Sequence, residues 1–227
     1  MQTRFRITPA GSNKPLDLDS GAVNKALPSG MHMEWKNERA YFVVETPVEE
    51  DANALALVQR ELDRIFFLTC VRAHAEMIRR VVTADFPQSY WIHGFLPDEL
   101  GPQDWTPELS LQLRLWSVAV DIVDPPIQLL IFFQIIELSY PDLQDHSQYP
   151  PYAGGEPDRR TEAKILRHIV AHASEADRKQ TKLYLQSHQL GKLMANRSDA
   201  NWVAFITCKV RDVKALAKEV IEATLKV

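Results

Sequence analysis

The chain has 227 residues, enough for a substantial core in one domain or in one domain with a smaller appendage. Hydrophobic residues make up 45% and charged residues 25%, which excludes wholesale disorder. A formal net charge of -4 excludes a strongly basic nucleic-acid footprint over the whole chain, while local Arg and Lys clusters remain able to meet phosphate.

The first 50 residues are extended in character and read as a β-rich extension or small subdomain. Met1 to Thr8 predicts a strand. Met31 to Trp35 and Ala40 to Glu45 predict two more around Lys36-Asn37-Glu38-Arg39. In the last of these, Tyr41, Val43 and Glu45 share one face, and Phe42 and Val44 the other. From Val48 to about Val82 the pattern turns helical. Leu55, Val58, Leu62, Ile65, Thr69, Ala73 and Met77 recur every three or four residues, and no proline interrupts them.

Pro87, Gly94 and Pro97 predict an irregular connection, with an aromatic patch from Phe86 to Phe95 covering one end of the core. Thr106-Pro107 predicts a helix start, because Thr caps free amides and Pro has none to satisfy. Leu109, Leu113, Trp116 and Val120 form that helix's apolar face. Asp124-Pro125-Pro126 marks a new start, and the residues up to Leu138 are apolar all round, as in a central helix. A buried strand competes there, but the run is too long for one and Pro141 offers a stop.

Asp142 to Arg160 reads as a long loop with a turn at Gly154-Gly155. A helix is predicted from Thr161 to about Ala173, with Leu166, Ile169, Val170 and Ala173 facing the core. Another lies within Asp177 to Met194. Trp202 to Cys208 predicts a late strand, and Val213 to Leu225 a terminal helix. The expected class is mainly α: a helical bundle over 51–227, with a few peripheral strands and a C-terminal strand-helix appendage.

Cys70 and Cys208 are the only cysteines, too few for a disulfide framework or a Cys-based zinc site. The N-terminus lacks the apolar core of a secretory signal. The most apolar run, Pro125 to Tyr140, carries Gln128, Gln134 and Glu137 and falls short of the roughly 20 residues a membrane span needs. A cytoplasmic protein with no membrane partner is expected by exclusion.

The chemistry-bearing stretch is Leu166-Arg167-His168-Ile169-Val170-Ala171-His172. Arg presents a planar array of donors suited to phosphate. Histidine exchanges a proton near neutrality. His168 and His172, four apart, share a helix face. Arg167 and His172 lie roughly 140° apart at about 100° per residue. Side-chain reach, a kink or a second copy must bring them to one substrate. Glu137, in its apolar helix, is a candidate for orienting the Arg or His.

Ordinary structural roles account for the same residues. Arg167 serves as a solvated or bridging Arg, His172 as a helix-end imidazole and His168 as an interface residue, while Glu137 marks the polar edge of a central helix. His168, His172 and Glu175 supply at most part of a metal site, and no HExxH is present. Arg72, Arg79, Arg80, Arg159, Arg160 and Lys164 are further candidates for phosphate contact. No P-loop, dinucleotide fingerprint or nucleophilic triad is present.

Arg167, the adjacent polar His168, and His172 after four intervening positions resemble the motif of the HEPN superfamily, the nucleotide-binding helical domains of higher eukaryotes and prokaryotes. The order of helices from Ala54 to about Gln189 is also similar. The resemblance implies a helical bundle that often dimerises through the motif region, and metal-independent RNA cleavage in many members. Carried to this chain, Arg167 binds the scissile phosphate, His172 is the acid or base for 2'-OH attack, and His168 supports them. No cofactor or metal is implied. Other members are inactive nucleotide-binding or protein-interaction modules, and that alternative fits the acidic net charge.

Overall fold

Three of the predicted strands join a fourth in an antiparallel sheet. In the computed structural model, which describes residues 2–9, 16–36, 39–45, 51–78, 92–94, 101–140, 152, 154–172, 174–176 and 178–225, the strand order is β3-β4-β1-β5. Strand β1 (Gln2–Pro9) lies between β4 (Arg39–Glu45) and β5 (Ala73–Ile78), and β3 (Met31–Lys36) pairs outside β4. The register sets Phe5 against both Phe42 and Met77, and Met33 against Phe42. Alternation then sends Phe5, Ile7, Phe42, Val44, Met31 and Met33 to one buried face. Gly30, at φ 82, turns the chain into β3 where most side chains would be strained.

Helix α1 (Ser20–Ala26) is capped by Asp19, which accepts from the Gly21 amide at 2.8 Å. Helix α2 (Asp51–Thr69) packs Ala54, Val58, Leu62 and Ile65 into the same core as the sheet face. Strands β2 (Leu16–Leu18) and β6 (Ile92–Gly94) form a small parallel pair.

The helix expected to reach Val82 stops at Thr69. Cys70 takes φ 58, a left-handed conformation that ends helices, and its amide still reaches the Phe66 carbonyl at 2.8 Å. Ala73 and Met77 then belong to β5. Their four-residue spacing satisfies a strand's period of two as well as a helix turn, so periodicity did not separate the two states. Arg79, Arg80 and most of the aromatic patch from Phe86 lie outside the described residues.

The second half is helical: α3 (Pro107–Ala119), α4 (Pro125–Ser139), α5 (Arg159–Ala171), α6 (Lys179–Ser187) and α7 (Ala200–Thr224). Both α3 and α4 begin at the prolines that predict their starts. Asp124 caps α4 by accepting from the Ile127 amide at 3.0 Å. As expected for an all-round apolar helix, α4 is central, packing against α3, α5 and α7. Leu129, Phe132, Phe133, Ile135 and Ile136 are buried on it, and Trp116 of α3 packs on Phe132 at 5.2 Å between ring centres.

The strand expected over Trp202 to Cys208 is instead the first part of α7, continuous with the expected terminal helix. Trp202, Ile206, Val210, Val213, Ala217 and Ile221 are buried at helical spacing. Asp199 caps the start by accepting from the Asn201 amide at 2.8 Å. Packing on α4 outweighs the β preference of its aromatic and β-branched residues.

The chain is thus mainly α, with a small four-stranded antiparallel sheet. It divides into two compact units, residues 1–106 with 225–227, and residues 107–224. By this division α2 belongs to the first unit with the sheet. No helix among the described residues is long and apolar enough to cross a membrane.

Candidate functional site

The motif occupies the last turns of α5. Asp158 starts this helix, accepting from the Arg160 and Thr161 amides at 3.0 and 3.1 Å and from the Thr161 hydroxyl. These bonds, the hydroxyl's foremost, hold its carboxyl below the usual carboxylate range. From Ala163 to Val170 every residue of α5 except Arg167 is buried. Arg167 is half-buried at the helix's remaining open edge.

At the other end His172 leaves the helix, with φ -119 and ψ 138, and is exposed. His168 is 8% exposed. The two imidazole rings lie 4.4 Å apart between centres, tilted by 50°. The i,i+4 spacing predicts that pairing. No hydrogen bond or ion pair among the described residues joins Arg167 to His172, consistent with the 140° between them on an ideal helix.

The chain after α5 doubles back to close this end. The Met194 amide donates to the Ser174 carbonyl at 3.1 Å, and the Ala176 amide to the Lys192 carbonyl at 3.0 Å. The Ala195 amide satisfies the Ile169 carbonyl at 2.9 Å, one of the acceptors a helix end leaves open. Ala195 adopts φ 50 to do so. Arg197 then pairs with Asp124, the α4 cap, at 3.0 Å. Sequence patterns did not identify this clasp, because apart from the Arg197–Asp124 pair its contacts are made by backbone groups.

Glu137 lies elsewhere. Arg160 stacks on Tyr140 at 3.8 Å, which places the last turn of α4, with half-buried Glu137, toward the start of α5. The contacts at Ile169 and Asp124 place the first turn of α4 toward the motif end. Glu137 and His172 therefore sit toward opposite ends of α5.

A second ionic group in this unit, missed by the sequence reading, joins α5, α6 and α7. Glu162 Oε1 accepts from the Tyr184 hydroxyl and from Lys209 Nζ, each at 2.7 Å. Burial, then the Glu162 bond, raises the Tyr184 hydroxyl far above its ordinary value. His188 packs against Tyr184 and Phe205, each at 4.6 Å between ring centres. Burial and the nearby Lys209 charge depress its pKa.

The first unit carries a different arrangement. Arg64, 1% exposed, donates to the Ala26 carbonyl at 3.1 Å and the Gly101 carbonyl at 2.7 Å. It lies 3.7 Å from Glu61, which accepts from Trp105 Nε1 at 2.8 Å. Arg60 stacks on the Trp105 ring at 4.3 Å. Burial raises the Glu61 carboxyl against the pull of Arg64. Arg72 stacks on Phe66 at 4.4 Å, a structural use of a phosphate-binding candidate.

Among the described residues no three His, Cys, Asp or Glu side chains gather closely enough to hold a metal ion. The chain matches no protein-family model, no curated protein and no solved structure.

Proposed function

We propose that residues 107–224 form a HEPN-like helical domain that cleaves RNA without a metal, using Arg167 and His172. One observation carries this reading: on a helix otherwise buried from Ala163 to Val170, the guanidinium-bearing residue and the terminal imidazole are the groups with access to solvent. In this reading His172 accepts the proton of the ribose 2'-OH, whose oxygen attacks the adjacent phosphorus. The 5'-oxygen leaves with a proton from solvent, and a cyclic phosphate remains. Arg167 holds the phosphate and stabilises charge on its oxygens. His168, packed on His172, fixes that ring's orientation. The angle between Arg167 and His172 is bridged by dimerisation, with one copy's Arg167 serving the other's His172.

A second reading has its own support. The contact of His172 with buried His168 also suits a ring that merely closes a helix end, in a catalytically inactive nucleotide-binding or protein-interaction module. Incubation with structured and single-stranded RNAs in the presence of a chelator separates them. Cleavage is expected, falling at least about 100-fold in Arg167→Ala and in His172→Ala. Cleavage indifferent to both substitutions rejects the assigned mechanism, and no cleavage by the native chain favours the inactive module.

A further inference from the structure

The net charge of -4 conceals a division inside the second unit. Residues 107–158 contain one Lys or Arg against eight Asp and Glu, a net of -7. Residues 159–224 contain 13 Lys and Arg against seven Asp and Glu, a net of +6. The motif helix thus belongs to the basic half.

Part of that charge is matched internally. Arg159 pairs with Glu219, Arg197 with Asp124, Lys209 with Glu162, and Lys218 with Glu222. Lys179, Lys182 and Lys192 are exposed and make no ion pair among the described residues. Their positions concentrate beside the motif. Lys192 belongs to the segment paired with 174–176, which begins two residues after His172. Lys179 opens α6 directly afterwards, and Lys182 follows three residues later on the same face.

Helix stability does not explain Lys179 and Lys182. The first turn of α6 has no acidic residue, and cations there oppose the helix dipole. Spaced, exposed cations are what a nucleic-acid backbone requires of a protein surface.

We propose that single-stranded RNA runs along this basic half, its backbone phosphates meeting Lys179, Lys182 and Lys192 on the approach to His172. The proposal rests on the RNA-directed reading above and assigns the residues that hold the strand. These contacts read charge and not base sequence.

The test is binding of a short fluorescein-labelled single-stranded RNA to the full chain, carried out in His172→Ala so that the probe stays intact. Adding Lys179→Glu, Lys182→Glu and Lys192→Glu is expected to weaken binding at least about tenfold. It should also flatten the dependence on log salt by about 2, at about 0.7 for each phosphate contact. Arg114→Glu, in the acidic half, should leave affinity unchanged. Circular dichroism checks that the triple variant is folded, and Lys192→Gln alone should give a smaller loss in the same direction. Equal binding with and without the triple change overturns the proposal, as does competition by polyglutamate as effective as by RNA. Lysine-dependent binding by a native chain that cleaves nothing keeps the track and rejects the nuclease reading. Cleavage that the lysine changes leave untouched does the reverse.

Discussion

Arg64 of the first unit and Arg167 of the second sit in opposite settings. In the first, Arg64 is sealed inside, and its guanidinium serves the Ala26 and Gly101 carbonyls. In the second, Arg167 and His172 reach solvent, and the Glu162–Lys209 pair is only partly covered. A buried cation must spend its donors on protein acceptors, because unpaired charge away from water is strongly unfavourable. An exposed one keeps donors for a ligand. Arg in a helical pattern is therefore no guide to phosphate binding until its burial is known.

The contrast breaks most sharply at Arg64. Arg64→Ala leaves the Ala26 and Gly101 carbonyls without their donor and Glu61 with only Trp105 and the more exposed Arg60, and should cost the first unit about 3 kcal/mol. Amide hydrogen exchange should show the loss in α2 and the sheet and little change in α5. Equal losses in both would mean that the units do not unfold separately. A smaller effect is expected from Tyr184→Phe, which removes one hydroxyl from Glu162 while Lys209 remains. About 1–2 kcal/mol should be lost on denaturant unfolding, read at α5 to α7.

The smallest effect is one of pH, at His188 in the second unit. His188 is held below its ordinary 6.5 by burial first and by Lys209 second. As pH falls, the unfolded chain therefore takes up this proton before the folded one does. Stability from His188 is complete above about 6.5 and is lost as pH drops through its lowered folded value. His188→Phe should flatten the second unit's stability across that window. An unchanged pH profile would place the dependence in another group.

Local chemistry made some boundaries legible. Thr106-Pro107 and Asp124-Pro125-Pro126 announced the starts of α3 and α4, because capping and proline geometry act within a few residues. The motif helix and its His168–His172 contact followed from spacing alone. The break between α2 and β5 did not, since Ala73 and Met77 fit either period and the strand exists by pairing with β1, distant in sequence. The start of α7 was misread because Trp202 to Cys208 favours strands locally, and packing against α4 decides otherwise.

Residue order was enough for a largely helical chain, the central placement of α4, and Arg167 and His168 on one helix, because periodicity and capping are encoded residue by residue; it carried that helix past His172, which in fact ends it. Which charges are sealed, which are open, and the return of 192–197 onto the end of α5 came from contacts between distant segments. Burial and backbone pairing depend on what distant segments bring, and no window of neighbouring residues contains them.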